Sequence, residues 1–401
     1  MLRWSSKLLR VAPLLAVALL AACEKKEVVR PAPPPPPPPI EVTFHRDAPS
    51  AIAFLTKSLG QQLVNTPRPA QNTVPVEEFF SAQSAEVTSS GRELQRLLAT
   101  SLSQSMAPLN FVPLDINSAN NAQWALLANY AVPAANESLQ PGKWLRLQVA
   151  MVESSTGKVL TRINTYLDSA AFNAEPTQFF KDAPMYFTDG RHRDRVGAMY
   201  GESRTLNEVL ALQSELANAV TAYESNRYAE AEQGFTNIRK VAVNHPTALT
   251  GLYQTYWRTG RKAEAEQVFS ELVAAGIDAG SLSVKLLFKV GGTAFVDSAD
   301  LPVQYRLWMK SVGQVVASKN KCVDVTGHAS KSGSPEYNDR LSLQRAESIV
   351  ALISQTSRDA RQRFKSAGRG YQETIVGTGA NDATDAIDRR VEFKVRDCAT
   401  N

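Results

Sequence analysis

The side chains best suited to chemistry crowd two stretches near the C-terminus. The first runs from Val325 to Ala346 and carries His328, Ser330, Ser334, Tyr337, Asn338, Ser342 and Arg345. The second runs from Gly377 to Val395 and includes Asp388, Arg389, Arg390 and Glu392. Nothing in the chain has the makings of a catalytic constellation. Its four histidines, His45, His192, His245 and His328, fall in no metal-ligand spacing. The expectation is therefore no metal, no cofactor and no enzyme. His328 reads as a structural hydrogen-bonding residue.

The elements that position these side chains follow from local pattern. Cys322, Val323 and Val325 end a short apolar strand, and Gly327 to Gly333 is a polar loop. Ser334-Pro335 suits a helix start, because serine caps orphan N–H groups and proline fits the first helical position. Leu341, Ala346, Ile349, Val350 and Ile353 then recur at helical spacing. Val391, Phe393 and Val395 alternate as one face of a strand. Upstream, Val284 to Val290 reads as a strand, Gly291-Gly292 as a tight departure, and Asp300 to Ser318 as a helix burying Leu301, Tyr305, Trp308, Val312 and Val315.

Taken in order, Gly327-His328, Gly333-Ser334, Tyr337-Asn338, Leu341-Ser342, Arg345-Ala346 and Arg389-Arg390-Val391-Glu392 resemble the OmpA-like C-terminal domain. The resemblance covers roughly residues 281–398. It implies an α/β sandwich, with helices on one face of a mixed sheet, that binds peptidoglycan. In that family an aspartate two residues after the histidine and the arginine matched by Arg345 hold the diaminopimelate of the peptide stem. Here the aspartate position is Ser330, which brings no charge. The site the resemblance implies is Ser330, Asn338, Arg345 and Arg390. Arg345 should offer its fork to a stem carboxylate, the alternative being capture by Glu336 or Asp388. Arg390 should order its loop through carboxylates such as Asp382, Asp385 or Asp388.

The chain opens with a targeting segment, residues 1–22. Arg3, Lys7 and Arg10 precede an apolar run, Val11 to Leu20, too short to span a bilayer. Leu20-Ala-Ala-Cys23 matches a lipobox, making Cys23 the lipidated mature N-terminus; the alternative is an ordinary secretory signal with a free cysteine. Glu24 favours the outer membrane by the enterobacterial sorting rule. The formal charge of +5 falls to +2 once those three basic residues leave, so no electrostatic case for nucleic acid remains. Residues 23–40 form a proline-rich spacer that reaches up to roughly 50 Å at about 3.1 Å per residue. Cys322 and Cys398 flank strands of one domain in a disulfide-permissive compartment. A disulfide is expected, the alternative being two buried thiols.

Two further regions lie between. Residues 41–189 read as an N-terminal α/β domain, with helices at Ala48–Leu63 and Ser90–Met106 and strands at Val74–Phe80, Phe111–Leu114, Trp124–Val132, Trp144–Glu153 and Lys158–Leu167. Its Arg92-to-Leu98 helix, Ala125-to-Tyr130 strand and hairpin at Thr156-Gly157 resemble the α/β domain of flagellar-assembly and curli-secretion lipoproteins. Residues 206–275 repeat at a period of 34: Asn226 to Phe235 lines up with Gly260 to Phe269. This resembles tetratricopeptide helices; a plain pair of helical hairpins is the alternative. Two repeats should pack on a neighbouring domain or a partner, with Tyr223, Tyr228, Tyr253, Tyr256 and Trp257 as candidate binding aromatics. Arg191 to Arg195 reads as a solvated loop. The fold class expected is α+β multidomain: an N-terminal α/β domain, a short helical repeat pair and a C-terminal OmpA-like sandwich. The function expected is an outer-membrane lipoprotein on the periplasmic face that binds peptidoglycan and tethers an envelope assembly. The alternative is a protein-docking subunit of an envelope machine, with another envelope protein as partner, whose OmpA-like domain binds cell wall weakly or not at all.

Overall fold

The computed structural model describes residues 43–398 except 121, 135, 136, 138, 141, 203–205, 290, 297–299, 357 and 374–387. The expectations for Cys23, the signal and the spacer, and for Asp382 and Asp385, lie outside the described residues. The described chain is a mixed α+β structure with two sheets.

The first sheet is built from β1 (Phe44–His45), β2 (Thr73–Val76), β3 (Phe80–Ser81), β4 (Asn110–Pro113), β5 (Trp124–Ala131), β6 (Trp144–Glu153) and β7 (Val159–Asp168). Its order is β1-β7-β6-β5-β2-β4, with β3 added beside β5. Helices α1 (Ala48–Gln62) and α2 (Ser89–Ser105) cover one face. Asp47 and Thr88 cap them, accepting from Ser50 N and Gly91 N. Leu55, Leu59, Leu94, Leu98 and Leu102 pack against Leu126, Leu147, Val149 and Met151. The expected strand Val74–Phe80 is two short strands. Between them Phe79 turns its carbonyl toward α2, where a Cβ on Gly91 would stand 2.2 Å from that oxygen; only glycine lets the helix approach so closely. A short helix, α3 (Ile116–Ala119), leads into β5.

The stretch after β7 is more ordered than its polarity suggests. It contains α4 (Gln178–Asp182), β8 (Met185–Tyr186) and α5 (Gly190–Ala198). The Arg191–Arg195 run expected as a solvated loop lies in α5, with Arg191, Arg193 and Asp194 exposed. Asp189 caps it by accepting from His192 N at 3.0 Å, and Arg195 pairs with buried Glu77 at 2.7 Å. Four helices follow: α6 (Leu206–Glu224), α7 (Tyr228–Val241), α8 (Pro246–Arg258) and α9 (Lys262–Asp278). The repeat-matched pairs Ala231 and Ala265, and Phe235 and Phe269, are all fully buried.

The groove between these helices is filled by the chain itself. Phe179 of α4 lies 5.6 Å from the Tyr223 ring and 5.7 Å from Phe235. Glu224 Oε1 accepts its N–H at 3.1 Å, and Gln254 Nε2 donates to its carbonyl at 3.0 Å. Asp182 accepts from Tyr223 Oη at 2.8 Å and Arg258 Nη2 at 2.7 Å. Tyr223 and Tyr253 are buried, whereas Tyr228, Tyr256 and Trp257 are partly so.

The second sheet has the order β11-β10-β12-β9-β8, from β9 (Ser281–Val284), β10 (Lys321–Gly327), β11 (Phe364–Gly368) and β12 (Val391–Asp397), with β8 at the edge. The strand expected over Val284–Val290 falls instead at Ser281–Val284, where it lies between β12 and β8. Past Val284 the Lys285 side chain turns to Glu86 and the Phe180 carbonyl. Phe288 then keeps only an isolated bridge to Phe295. Helices α10 (Leu301–Ser318) and α11 (Pro335–Thr356) bury Val323, Val325, Val391 and Phe393 with Met309, Val312, Ala346 and Ile349. Trp308 of α10 donates to Tyr253 Oη at 2.7 Å, joining this layer to α8. Cys322 and Cys398 form a disulfide with Cα atoms 5.0 Å apart.

Phe179→Ala empties a closed apolar site, so its expected cost is about 3–5 kcal/mol, read as a lower denaturant midpoint. Removing the Cys322–Cys398 bridge by double serine substitution should cost about 4 kcal/mol on the chain-entropy account. Unchanged midpoints would show that neither feature bears on stability.

Candidate functional site

The polar concavity is built where β10 ends. A Cβ on Gly327 would stand 2.0 Å from the Ser342 carbonyl, so glycine is needed for α11 to lie against the strand end. The loop is then pinned from its own backbone. His328 N donates to Arg390 O at 2.9 Å, and Ala329 N donates to Gly370 O at 2.7 Å. Asn338, 2% exposed, closes the loop by donating Nδ2 to Ser332 O at 2.8 Å. Ser330 is buried, with its hydroxyl 3.2 Å from that of Ser332.

Arg345 points into this region but does not present an open fork. It is 1% exposed. Nε donates to Gly292 O at 3.1 Å, Nη2 to Lys289 O at 3.2 Å, and Nη1 reaches His328 O at 3.5 Å. Its guanidinium lies 5.1 Å from the Phe288 ring centroid. Neither a free fork nor capture by Glu336 or Asp388 describes it: carbonyls of the Lys289–Gly292 turn and of His328 take the group. Burial, helped by the nearby Arg389 charge, pushes its pKa down to about 10.

Arg390 is also buried. Nε donates to Glu392 Oε1 at 2.6 Å and Nη2 to Glu373 O at 3.0 Å, while Nη1 has no partner. Among the described residues its ion pair is with Glu392 of β12. Asp388 itself is fully buried. His328, 1% exposed, stands 3.6 Å from Glu392 Oε2 and 3.9 Å from Glu373 Oε2. Burial pushes the Glu392 carboxyl up, but His328 and Arg390 outweigh it and hold it down at about 2. Arg389 is half-buried with Nη1 unpartnered.

The structure therefore brings Ser330, Asn338, Arg345 and Arg390 together around the β10 end. Cys322 and Cys398 lie at the other end of that sheet, where Lys321 pairs with Asp397. Sequence reasoning did not assign roles to Glu392 or to the Lys289 and Gly292 carbonyls. Glu392 was visible within the Arg-Arg-Val-Glu motif. The carbonyls carry no side-chain signal at all. Among the described residues no group of His, Cys, Asp and Glu could hold a metal.

Residues 295–387 match the OmpA family, so this chain carries an OmpA family domain there. Among solved structures, the peptidoglycan-associated lipoprotein from Burkholderia pseudomallei is similar at 21% identity, over 30% of this chain and 93% of that one, with a TM-score of 0.24. The cell wall anchor of the T6SS from Pseudomonas aeruginosa is similar at 27% identity, over 29% and 79%, with a TM-score of 0.23. The periplasmic domain of Helicobacter pylori MotB is similar at 14% identity, over 30% and 76%, with a TM-score of 0.24. No curated protein matches the chain.

Glu392 keeps its charge in the fold to a lower pH than in the open chain. Its contribution to stability is present above the ordinary carboxylate value of 4.5 and is lost as pH falls from there toward 2. Glu392→Gln should flatten the fall in denaturant midpoint between pH 4.5 and 3. At pH 7 it should cost roughly 1–3 kcal/mol by leaving Arg390 without its anion. An acid slope equal to that of the wild type would remove Glu392 from this account.

Proposed function

We propose that this chain is a non-enzymatic lipoprotein of the outer membrane that associates with peptidoglycan. In this reading acylated Cys23 anchors it on the periplasmic face, residues 23–40 space it from the membrane, and residues 281–398 contact the cell wall. The observation that carries the reading is the OmpA family match over 295–387, which includes Ser330, Asn338 and Arg345. Among the described residues no helix is long and apolar enough to cross a membrane. Residues 41–189 and the surface of the tetratricopeptide-like helices 206–275 outside the groove that Phe179 fills would hold the protein partner that the tether serves.

Binding should be weak. Ser330 gives a stem ammonium no counter-charge, and Arg345 already spends three donor groups on carbonyls. Those same observations favour a second reading: a docking subunit of an envelope assembly whose OmpA-like part contributes little cell-wall affinity.

The whole mature chain is the right reagent, because β8 lies outside 281–398 yet completes the second sheet. Sedimentation with purified sacculi should retain wild type weakly. Ser330→Asp should strengthen retention about tenfold or more, since a charged hydrogen bond contributes roughly 1.5–3 kcal/mol. Cys23→Ser should leave unprocessed precursor off the outer membrane. If neither wild type nor Ser330→Asp sediments with sacculi, the cell-wall reading fails and the docking reading stands.

A further inference from the structure

Away from the OmpA-like site, two histidines meet at the joint between the first sheet and the helices. His192 lies in the first turn of α5. His245 is the cap residue of α8, with Pro246 as the first helical residue. Both line a small cavity of about 40 Å³, together with Asp189, Arg195, Gln213 and Thr247. His192 Nε2 bonds the Ala82 carbonyl at 2.8 Å, on the turn that follows β3. A carbonyl only accepts, so that nitrogen carries the proton and Nδ1 is bare. The Nδ1 atoms of both rings are buried and have no partner.

The surrounding charges are already committed. Asp189 accepts from His192 N through Oδ1 and from Arg191 Nη1 through Oδ2 at 3.1 Å. Arg195 donates to Glu77 Oε1 at 2.7 Å, and its guanidinium lies 3.5 Å from the Phe80 ring centroid. Arg191, Arg193 and Arg195 all come from α5. The facing residues of α6, Gln213 and Leu216, and of α8, Pro246 and Thr247, carry no charge. A proton added at Nδ1 of either ring would create an N–H without an acceptor. It would also place a cation among three arginines and, at His245, at the positive end of α8.

We propose that this joint is an acid-released hinge: protonating His192 and His245 detaches the Ala82–Glu86 turn and α5 from the start of α8. The charge effects have a consistent sign. Burial holds both rings below the ordinary histidine value, and His245 is pulled down to about 4. Asp189 opposes this for both rings. The open joint therefore takes up protons that the closed joint refuses. Closure is fully stable above 6.5 and weakens as pH falls from there toward 4. Glu77 works the other way. Burial raises its carboxyl despite Arg195, so it gains its proton in the closed state first and resists opening.

Hydrogen exchange on the full mature chain tests the hinge, with rates corrected for the intrinsic pH dependence. Between pH 7 and pH 4.5, Ala82–Glu86 and Gly190–Ala198 should lose protection on the order of a hundredfold, at tenfold per unit for one titrating ring. The β6 amides, in the middle of the first sheet, should not change. The double variant His192→Gln, His245→Gln should lose this pH response. Equal protection of the joint at both pH values in wild type overturns the hinge, as does an unaltered response in the double variant. Should that variant fail to fold, histidine ring NMR of wild type decides: a His245 midpoint near 6.5 in the folded chain also overturns it.

Discussion

The burial of Phe179 is the contact on which the rest of the arrangement depends. Two helical hairpins at a period of 34 expose an apolar groove that a longer array would cover with its next repeat. Here α4 supplies the cover. Burying a phenylalanine side chain contributes about 1.5–3 kcal/mol, but placement matters more than that sum. Glu224 and Gln254 grip the Phe179 backbone from two different helices. That grip sets where the chain goes next, so Met185–Tyr186 reaches Val284 and Ser283 as an edge strand of the second sheet. Glu224 also pairs with Arg92 of α2, so one carboxylate serves both the groove and the first sheet's helix layer. On the opposite flank Trp308 stacks on Phe269 and bonds Tyr253. The repeat pair is covered from both sides by its own chain.

Much of this was legible from period and punctuation. The long helices and the β5–β6–β7 meander follow apolar spacing and turn chemistry; most expected core residues are buried, while Leu301, Val315 and Val350 are only partly so. The period-34 match aligns Ala231 with Ala265 and Phe235 with Phe269, and all four are buried. Illegible features were those decided by partners distant in sequence. Arg191–Arg195 looks like a loop because three cations in five residues suggest water, and its helix and the inward turn of Arg195 leave no local signal. Asp189 caps it, and Glu77, more than a hundred residues earlier, neutralises Arg195. The apolar residues of Val284–Val290 suggest a strand there, yet Lys285 is pulled toward Glu86 and β9 ends at Val284. A two-residue strand such as β8 has no periodicity to detect.

The candidate site divides along the same line. The motif brings Gly327, Asn338 and Arg390 together to close the loop: Gly327 admits α11, Asn338 bonds the Ser332 carbonyl, and the Arg390 carbonyl takes the His328 N–H. It did not fix what Arg345 bonds, because the acceptors are main-chain carbonyls on a turn of unremarkable sequence. Backbone acceptors are invisible to any reading by residue type. The same limit applies at the histidine joint, where the Ala82 carbonyl sets the tautomer of His192.

A binding site gives its ligand only the difference between what the ligand supplies and what it displaces. Arg345 is a buried cation whose lowered pKa records incomplete compensation. Carbonyl dipoles replace part of its lost hydration, and a carboxylate would replace more. An incoming carboxylate would first have to dislodge bonds to Lys289 and Gly292 and would gain only the excess. Ser330 acts on the same balance from the ammonium side, since a hydroxyl returns less to a desolvated cation than an aspartate does. The two features are independent in sequence, one a missing side chain and the other a turn, but they reduce the same quantity. On the proposed reading, in which the ligand is a peptide-stem zwitterion, a chain that carries both has little free energy left over to hold it.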